Sequence, residues 1–134
     1  MKVVLVEDSA PIRYLLRRRL EAMPGVAVVG EAGGQDQAAV LIRRLRPDVV
    51  LVDLSLASGS GLALVADLRR TGYAGRIVAL TVQDSDAYRR ASMDAGADAF
   101  YDKASGLESL FDDLGDLGDL HATTTGREAC CESV

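Results

Sequence analysis

The chain has 134 residues, 49% of them apolar and 26% charged, the balance of one soluble globular domain with enough apolar matter for a core. Its 20 acids and 15 bases give a formal net charge of −5, which argues against a surface-wide basic footprint for nucleic acid. The longest uncharged run, 54–66, is 13 residues long and carries Ser and Gly, short of the roughly 18 that span a membrane. The first apolar run, 3–6, is too brief for a secretory core, so a cytoplasmic location is expected.

A continuous apolar run at 3–6 predicts the first strand. Ser9 then stands as an N-cap, with Pro11 in the first turn, and Ile12, Leu15, Leu16 and Leu20 recur at helical spacing until Pro24-Gly25. A second strand is expected at 26–29, followed by a helix on Ala38, Leu41, Ile42 and Leu45 that Pro47 ends. A third strand at 49–52 leads to a helix opened by Ser60, carried by Leu62, Val65 and Leu68, and closed near Gly72. A fourth strand at 77–80 precedes a thin stripe of Ala87, Ala91 and Ala95 closed by Gly96. A weaker strand at 97–101 and a helix on Leu107, Leu110, Phe111, Leu114 and Leu117 complete the pattern.

The first four strands are continuously apolar rather than alternating, as strands buried on both faces of a parallel sheet are. Alternating strands and helices imply right-handed βαβ units. The expected fold is α/β: a flavodoxin-like, doubly wound, five-stranded parallel sheet of order 2-1-3-4-5, with helices on both faces. One domain is expected over 1–118, with an acidic, disordered tail over 119–134. Residues 1–104 carry 14 bases and 13 acids, whereas 105–134 carry 1 base and 7 acids. His121, Cys130 and Cys131 match no zinc spacing, and two adjacent Cys make no disulfide framework.

Sheets of this kind bind ligands outside the carboxyl ends of their strands. Glu7 and Asp8 follow the first strand, Asp53 ends the third, Thr81 ends the fourth, and the fifth runs into Lys103. Glu31 ends the second strand, at the sheet margin and away from the crevice. Three carboxylates in one crevice repel one another and call for a cation. An all-oxygen set with room for water suits Mg²⁺, commonly beside a phosphate. Lys103 is one of two lysines among 13 arginines; a compact ammonium between carboxylates is a reason for Lys there.

Glu7-Asp8, Asp53, Thr81 and Lys103, in this order and each at a strand end, resemble the signature of the response-regulator receiver domain of bacterial two-component signalling. Gly61, eight positions after Asp53, and Ala95-Gly96-Ala97-Asp98 agree, and the resemblance covers about residues 1–115. It implies that Asp53 is the phosphorylation site. It implies Mg²⁺ held by Asp8, Asp53 and the Ser55 carbonyl, with Glu7 acting mainly through water. It gives Lys103 and Thr81 catalytic roles on the phosphoryl group, Thr81 swinging toward it, and makes Phe100 the aromatic that switches inward. The implied donor is a sensor histidine kinase or a histidine phosphotransfer protein, docking on the first helix, where Arg17 to Arg19 lie. The implied output is a protein partner or a homodimer through helix 4, strand 5 and helix 5, with no direct nucleic-acid binding and no membrane contact.

Three positions depart from the family pattern. Ala57 replaces a common proline and should loosen one loop. Ala104 follows Lys103 where proline is usual, so a trans bond is expected, cis costing about 2.5–4 kcal/mol without proline. Val82 replaces a small residue and should narrow access to the phosphoryl group. A single-domain regulator is the expected whole, a phosphoacceptor switch and not a metabolic enzyme. The alternatives are the receiver portion of a transcription factor, a haloacid-dehalogenase-type phosphohydrolase and a flavodoxin-like flavin binder. The phosphohydrolase requires an acid two residues past the nucleophile, where Ser55 stands. The flavin binder requires a hydroxyl- and Gly-rich phosphate loop where Glu7-Asp8 stand.

Overall fold

The computed structural model describes residues 1–56, 59–82 and 86–117. Strands β1 (Lys2–Val6), β2 (Ala27–Ala32), β3 (Val49–Asp53), β4 (Arg76–Thr81) and β5 (Ala99–Asp102) pair in parallel in the order β2-β1-β3-β4-β5. Helices α1 (Ala10–Glu21), α2 (Gln35–Leu45), α3 (Gly61–Arg70) and α4 (Asp86–Ala95) alternate with them, and α5 occupies 107–117. This is the expected doubly wound sheet. Among the described residues no helix is long and apolar enough to cross a membrane.

The core divides by the two-residue period of the strands. Val4, Val6, Val50, Val52, Ile77 and Ala79 face one side, where Ala38 and Ile42 of α2 and Leu64, Val65 and Leu68 of α3 cover them. Val3, Leu5, Val49, Leu51, Val78 and Leu80 face the other, against Leu16 and Leu20 of α1 and Leu110, Phe111 and Leu114 of α5. Ser9 and Ser60 cap α1 and α3 as expected, accepting from the N–H groups of Ile12 and Ala63.

Three elements differ from expectation. β2 runs on through Gly30 and Glu31 to Ala32, and as an edge strand it is only partly buried, with Val29 exposed. On α1, Leu15 points to solvent, since Leu16 and Leu20 already fill the sheet-facing side. On α4 the buried face is Ser92 with half-buried Tyr88 and Ala95, while Ala87 and Ala91 are exposed. Alanine stripes carry little hydrophobic free energy, so the tyrosine decides the helix rotation.

Away from the strand ends that carry the acids, Arg69 ties three segments together. Its guanidinium donates to the carbonyls of Tyr73, Gly75 and Gly96, each at 2.8 Å, and to Asp98 Oδ2 at 2.8 Å. The same Asp98 oxygen accepts the Ile77 N–H at 2.8 Å. The planar five-donor fork is what makes this junction possible.

Candidate functional site

The carboxyl ends of β1, β3, β4 and β5 bring the expected residues together. β1 and β3 are neighbours at the centre of the sheet, so Glu7, Asp8 and Asp53 emerge side by side, with carboxylate oxygens within 4.8 Å of one another. Glu7 and Asp53 are 1% and 2% exposed, whereas Asp8 faces solvent. Lys103 reaches in from the turn after β5. Its ammonium lies 2.5 Å from Glu7 Oε2 and 3.0 Å from Asp53 Oδ2. The other Asp53 oxygen accepts the Ser55 N–H at 2.9 Å, and Glu7 Oε1 accepts the Ser9 N–H at 3.1 Å.

Burial pushes the Glu7 carboxyl above its ordinary range, and the charge of Asp53 adds to the shift. The Lys103 ammonium and the Ser9 N–H oppose it without cancelling it. For Lys103, burial alone would lower the pKa. Hydrogen bonds and charge from Glu7 and Asp53 outweigh that, so the ammonium is held above its usual range.

Thr81 is fully buried at the end of β4, and its carbonyl accepts the Lys103 N–H at 2.8 Å. Phe100 pairs with Ala79 and so shares the Thr81 face of the sheet. It is 6% exposed and lies inward, with the Arg89 guanidinium 4.7 Å from its ring centroid. Asp102 shapes the turn that carries Lys103, accepting from the Ala104 N–H and the Ser105 hydroxyl. No cis peptide occurs among the described residues, so Lys103-Ala104 is trans as expected. Ser55 and Val82 are exposed at the strand ends. Ala57 and the expected tail, with His121, Cys130 and Cys131, lie outside the described residues.

At neutral pH, three carboxylates against one ammonium leave a formal charge of −2 in the site. A hard divalent cation with oxygen ligands would balance that charge, and Asp8 leaves one side open to water. The donor set therefore fits Mg²⁺.

Gln35 and Arg13, which carry no signal in the sequence, and Gly61, which belongs to the family pattern, also shape the site. Gln35 Oε1 accepts the Ser60 N–H at 2.9 Å and ties the β3–α3 loop to α2. Arg13 donates to the Glu7 carbonyl at 2.7 Å. Gly61 lets the start of α3 lie directly on the end of β3. A Cβ there would stand 2.2 Å from the Asp53 carbonyl oxygen and 2.6 Å from Leu54 Cα. Gly61→Ala must therefore move backbone at Asp53. The expected cost is about 2 kcal/mol, within the range for overpacking, with weakened Mg²⁺ binding. A denaturant melt and a Mg²⁺ titration check both.

The response regulator receiver domain family matches residues 3–114. The nitrate/nitrite response regulator protein NarP of Escherichia coli K12 is 40% identical over 111 residues, covering 83% of this chain and 52% of that protein. The response regulator GacA of Pseudomonas aeruginosa is 34% identical, covering 82% of this chain and 51% of that protein. The chain thus spans about half the length of these curated relatives. Among solved structures, a LuxR-family two-component response regulator from Aurantimonas sp. SI85-9A1 superposes with a TM-score of 0.81 at 28% identity, covering 96% of this chain and 97% of that one. The signal receiver domain of the putative response regulator NarL from Mycobacterium tuberculosis gives 0.80 at 27% identity, covering 88% and 95%. With the strand order and the strand-end residues already in place, the match over most of its length assigns this chain to the response regulator receiver domain family.

Proposed function

We propose that this domain is a phosphoacceptor switch in which Asp53 takes a phosphoryl group from the phosphohistidine of a sensor histidine kinase or a histidine phosphotransfer protein. The observation that carries the reading is the placement of Asp53. It is buried at a strand end, 3.0 Å from the Lys103 ammonium, with Glu7 and Asp8 beside it. Asp8, Asp53 and the Ser55 carbonyl would hold Mg²⁺, with Glu7 acting through water. The ion supplies charge neutralisation for the phosphoryl oxygens.

One Asp53 carboxylate oxygen attacks phosphorus and forms the new O–P bond. The P–N bond of the donor breaks, and its electron pair stays on the imidazole nitrogen. Lys103 neutralises a phosphoryl oxygen, and Thr81 donates its hydroxyl to another. The product adds about −1.5 to −2 charge, and Thr81 and Phe100 relay that change to the α4–β5–α5 face. That face then exchanges a protein partner or forms a homodimer. The domain works in the cytoplasm and binds no nucleic acid directly.

Incubation with a panel of phosphorylated kinases tests the reading. The expected product is a hydroxylamine-labile label, blocked by EDTA and mapped by peptide mass to Asp53. A label elsewhere, or one indifferent to Mg²⁺, overturns it. Val82 is 62% exposed beside Thr81. Val82→Ala should speed both uptake from small phosphodonors and loss of the label several-fold. Time courses in each direction measure this, and unchanged rates would sink the proposed screening by Val82.

Coverage of about half of each curated relative favours a second reading, in which the domain is the receiver portion of a longer regulator. The open reading frame past Val134 decides between that and a single-domain regulator.

A further inference from the structure

We infer that Arg13 is a positioning residue for the acidic site, holding the Glu7-Asp8 peptide in the orientation that aims Asp8 at a cation. This rests on the Mg²⁺ reading above. A helical side chain leans toward its own N-terminus. Arg13 lies one turn into α1, and its backbone N–H bonds the Ser9 carbonyl at 2.9 Å. Its guanidinium therefore reaches back over the β1–α1 turn, where Nη1 donates to the Glu7 carbonyl at 2.7 Å. On its other side, Nε stands 3.3 Å from Glu31 Oε1. Glu31 is itself held by Arg17 Nη1, 3.0 Å from its second oxygen.

Glu7 is thereby tied at every polar group. Its N–H bonds the Ala32 carbonyl at 3.0 Å, its carbonyl takes Arg13, and its carboxylate takes Ser9 and Lys103. Asp8 follows the last of these peptide groups directly. It is the exposed member of the carboxylate trio. The direction of the Glu7 carbonyl sets the direction of the Asp8 backbone, and Arg13 sets the carbonyl. Only a fork with two separated donors serves Glu7 and Glu31 together.

Two effects of removing Arg13 have opposite signs, which makes the role testable. A nearby guanidinium repels a cation, so loss of its charge alone would tighten Mg²⁺ binding. Loss of the brace would weaken it, and outer residues that orient metal ligands are typically worth about 10–100-fold in affinity. Calorimetric Mg²⁺ titration of the full chain should show Arg13→Ala binding about tenfold more weakly than wild type. Arg13→Lys keeps the reach and one donor, and should fall between the two. Phosphoryl labelling by Arg13→Ala should recover toward the wild-type maximum at saturating Mg²⁺, and the Mg²⁺-free melting temperature should stay close to wild type.

Equal or tighter Mg²⁺ binding by Arg13→Ala overturns the inference. So does a Lys variant as weak as the Ala variant with melting lowered in parallel, which marks a merely structural residue. A wild type that binds no Mg²⁺ overturns the reading of the site and this inference with it. A wild type that binds, beside an Arg13→Ala that binds equally well, removes the role of Arg13 alone.

Discussion

In Asp53→Asn, labelling by every donor that labels the wild type is expected to fall to background while the fold persists. An amide lacks the anionic oxygen that attacks phosphorus. The substitution also removes one of the three carboxylates that balance a divalent cation, so Mg²⁺ binding should weaken together with labelling. The fold should survive because Lys103 keeps Glu7 as its partner. Part of the upward push on the Glu7 carboxyl comes from the Asp53 charge, so the Glu7 pKa should move down in the variant. Autoradiography or intact mass measures the first effect, a thermal melt the second, and carboxyl-carbon NMR titration the third. Mg²⁺-dependent labelling that persists in a folded Asp53→Asn protein would place the acceptor elsewhere.

The site was legible because a buried parallel strand writes itself as an apolar run, so the polar residue that ends the run stands out. Asp53 closes five buried positions of β3, and Thr81 closes β4 in the same way. Capping serines were legible for a similar local reason. Rotation of α4 was not, because alanine spacing competes poorly with one tyrosine. The braces were not legible either. Gln35 reaches 25 residues along the chain to Ser60, and Arg69 reaches 29 to Asp98. Long polar side chains that act across such separations leave no period and no motif. β2 extends past its apolar run because Gly30, with no side chain, packs under Leu41 and Leu45 of α2. Glu31 stands on the edge strand, as expected, and Arg13 links it to the Glu7 carbonyl.

Lys103→Met should be the most destabilising single change at the site and should also make stability depend on Mg²⁺. The ammonium is the only cation within ion-pair distance of Glu7 and Asp53 among the described residues, and its side chain is 9% exposed. Removing one member of a buried pair strands the other charge, a loss of about 3–5 kcal/mol. The low end, about 3 kcal/mol at neutral pH, is expected here because the exposed Asp8 side admits water. The pH dependence follows from Glu7. Its folded pKa already lies above its ordinary value, and loss of Lys103 removes a group that lowers it. A carboxyl with a raised folded pKa contributes stability below its unfolded pKa and loses it as pH rises through the folded value. The deficit of the variant should therefore shrink on acidification from neutral pH toward the ordinary carboxylate range, as Glu7 takes a proton. Added Mg²⁺ should shrink it at neutral pH, since a cation that binds the folded site alone stabilises it by mass action. Melts across pH, with and without Mg²⁺, measure both effects. A deficit that is constant in pH and blind to Mg²⁺ would mean that Lys103 holds the turn after β5 by packing, and that the three carboxylates do not act as one charged site.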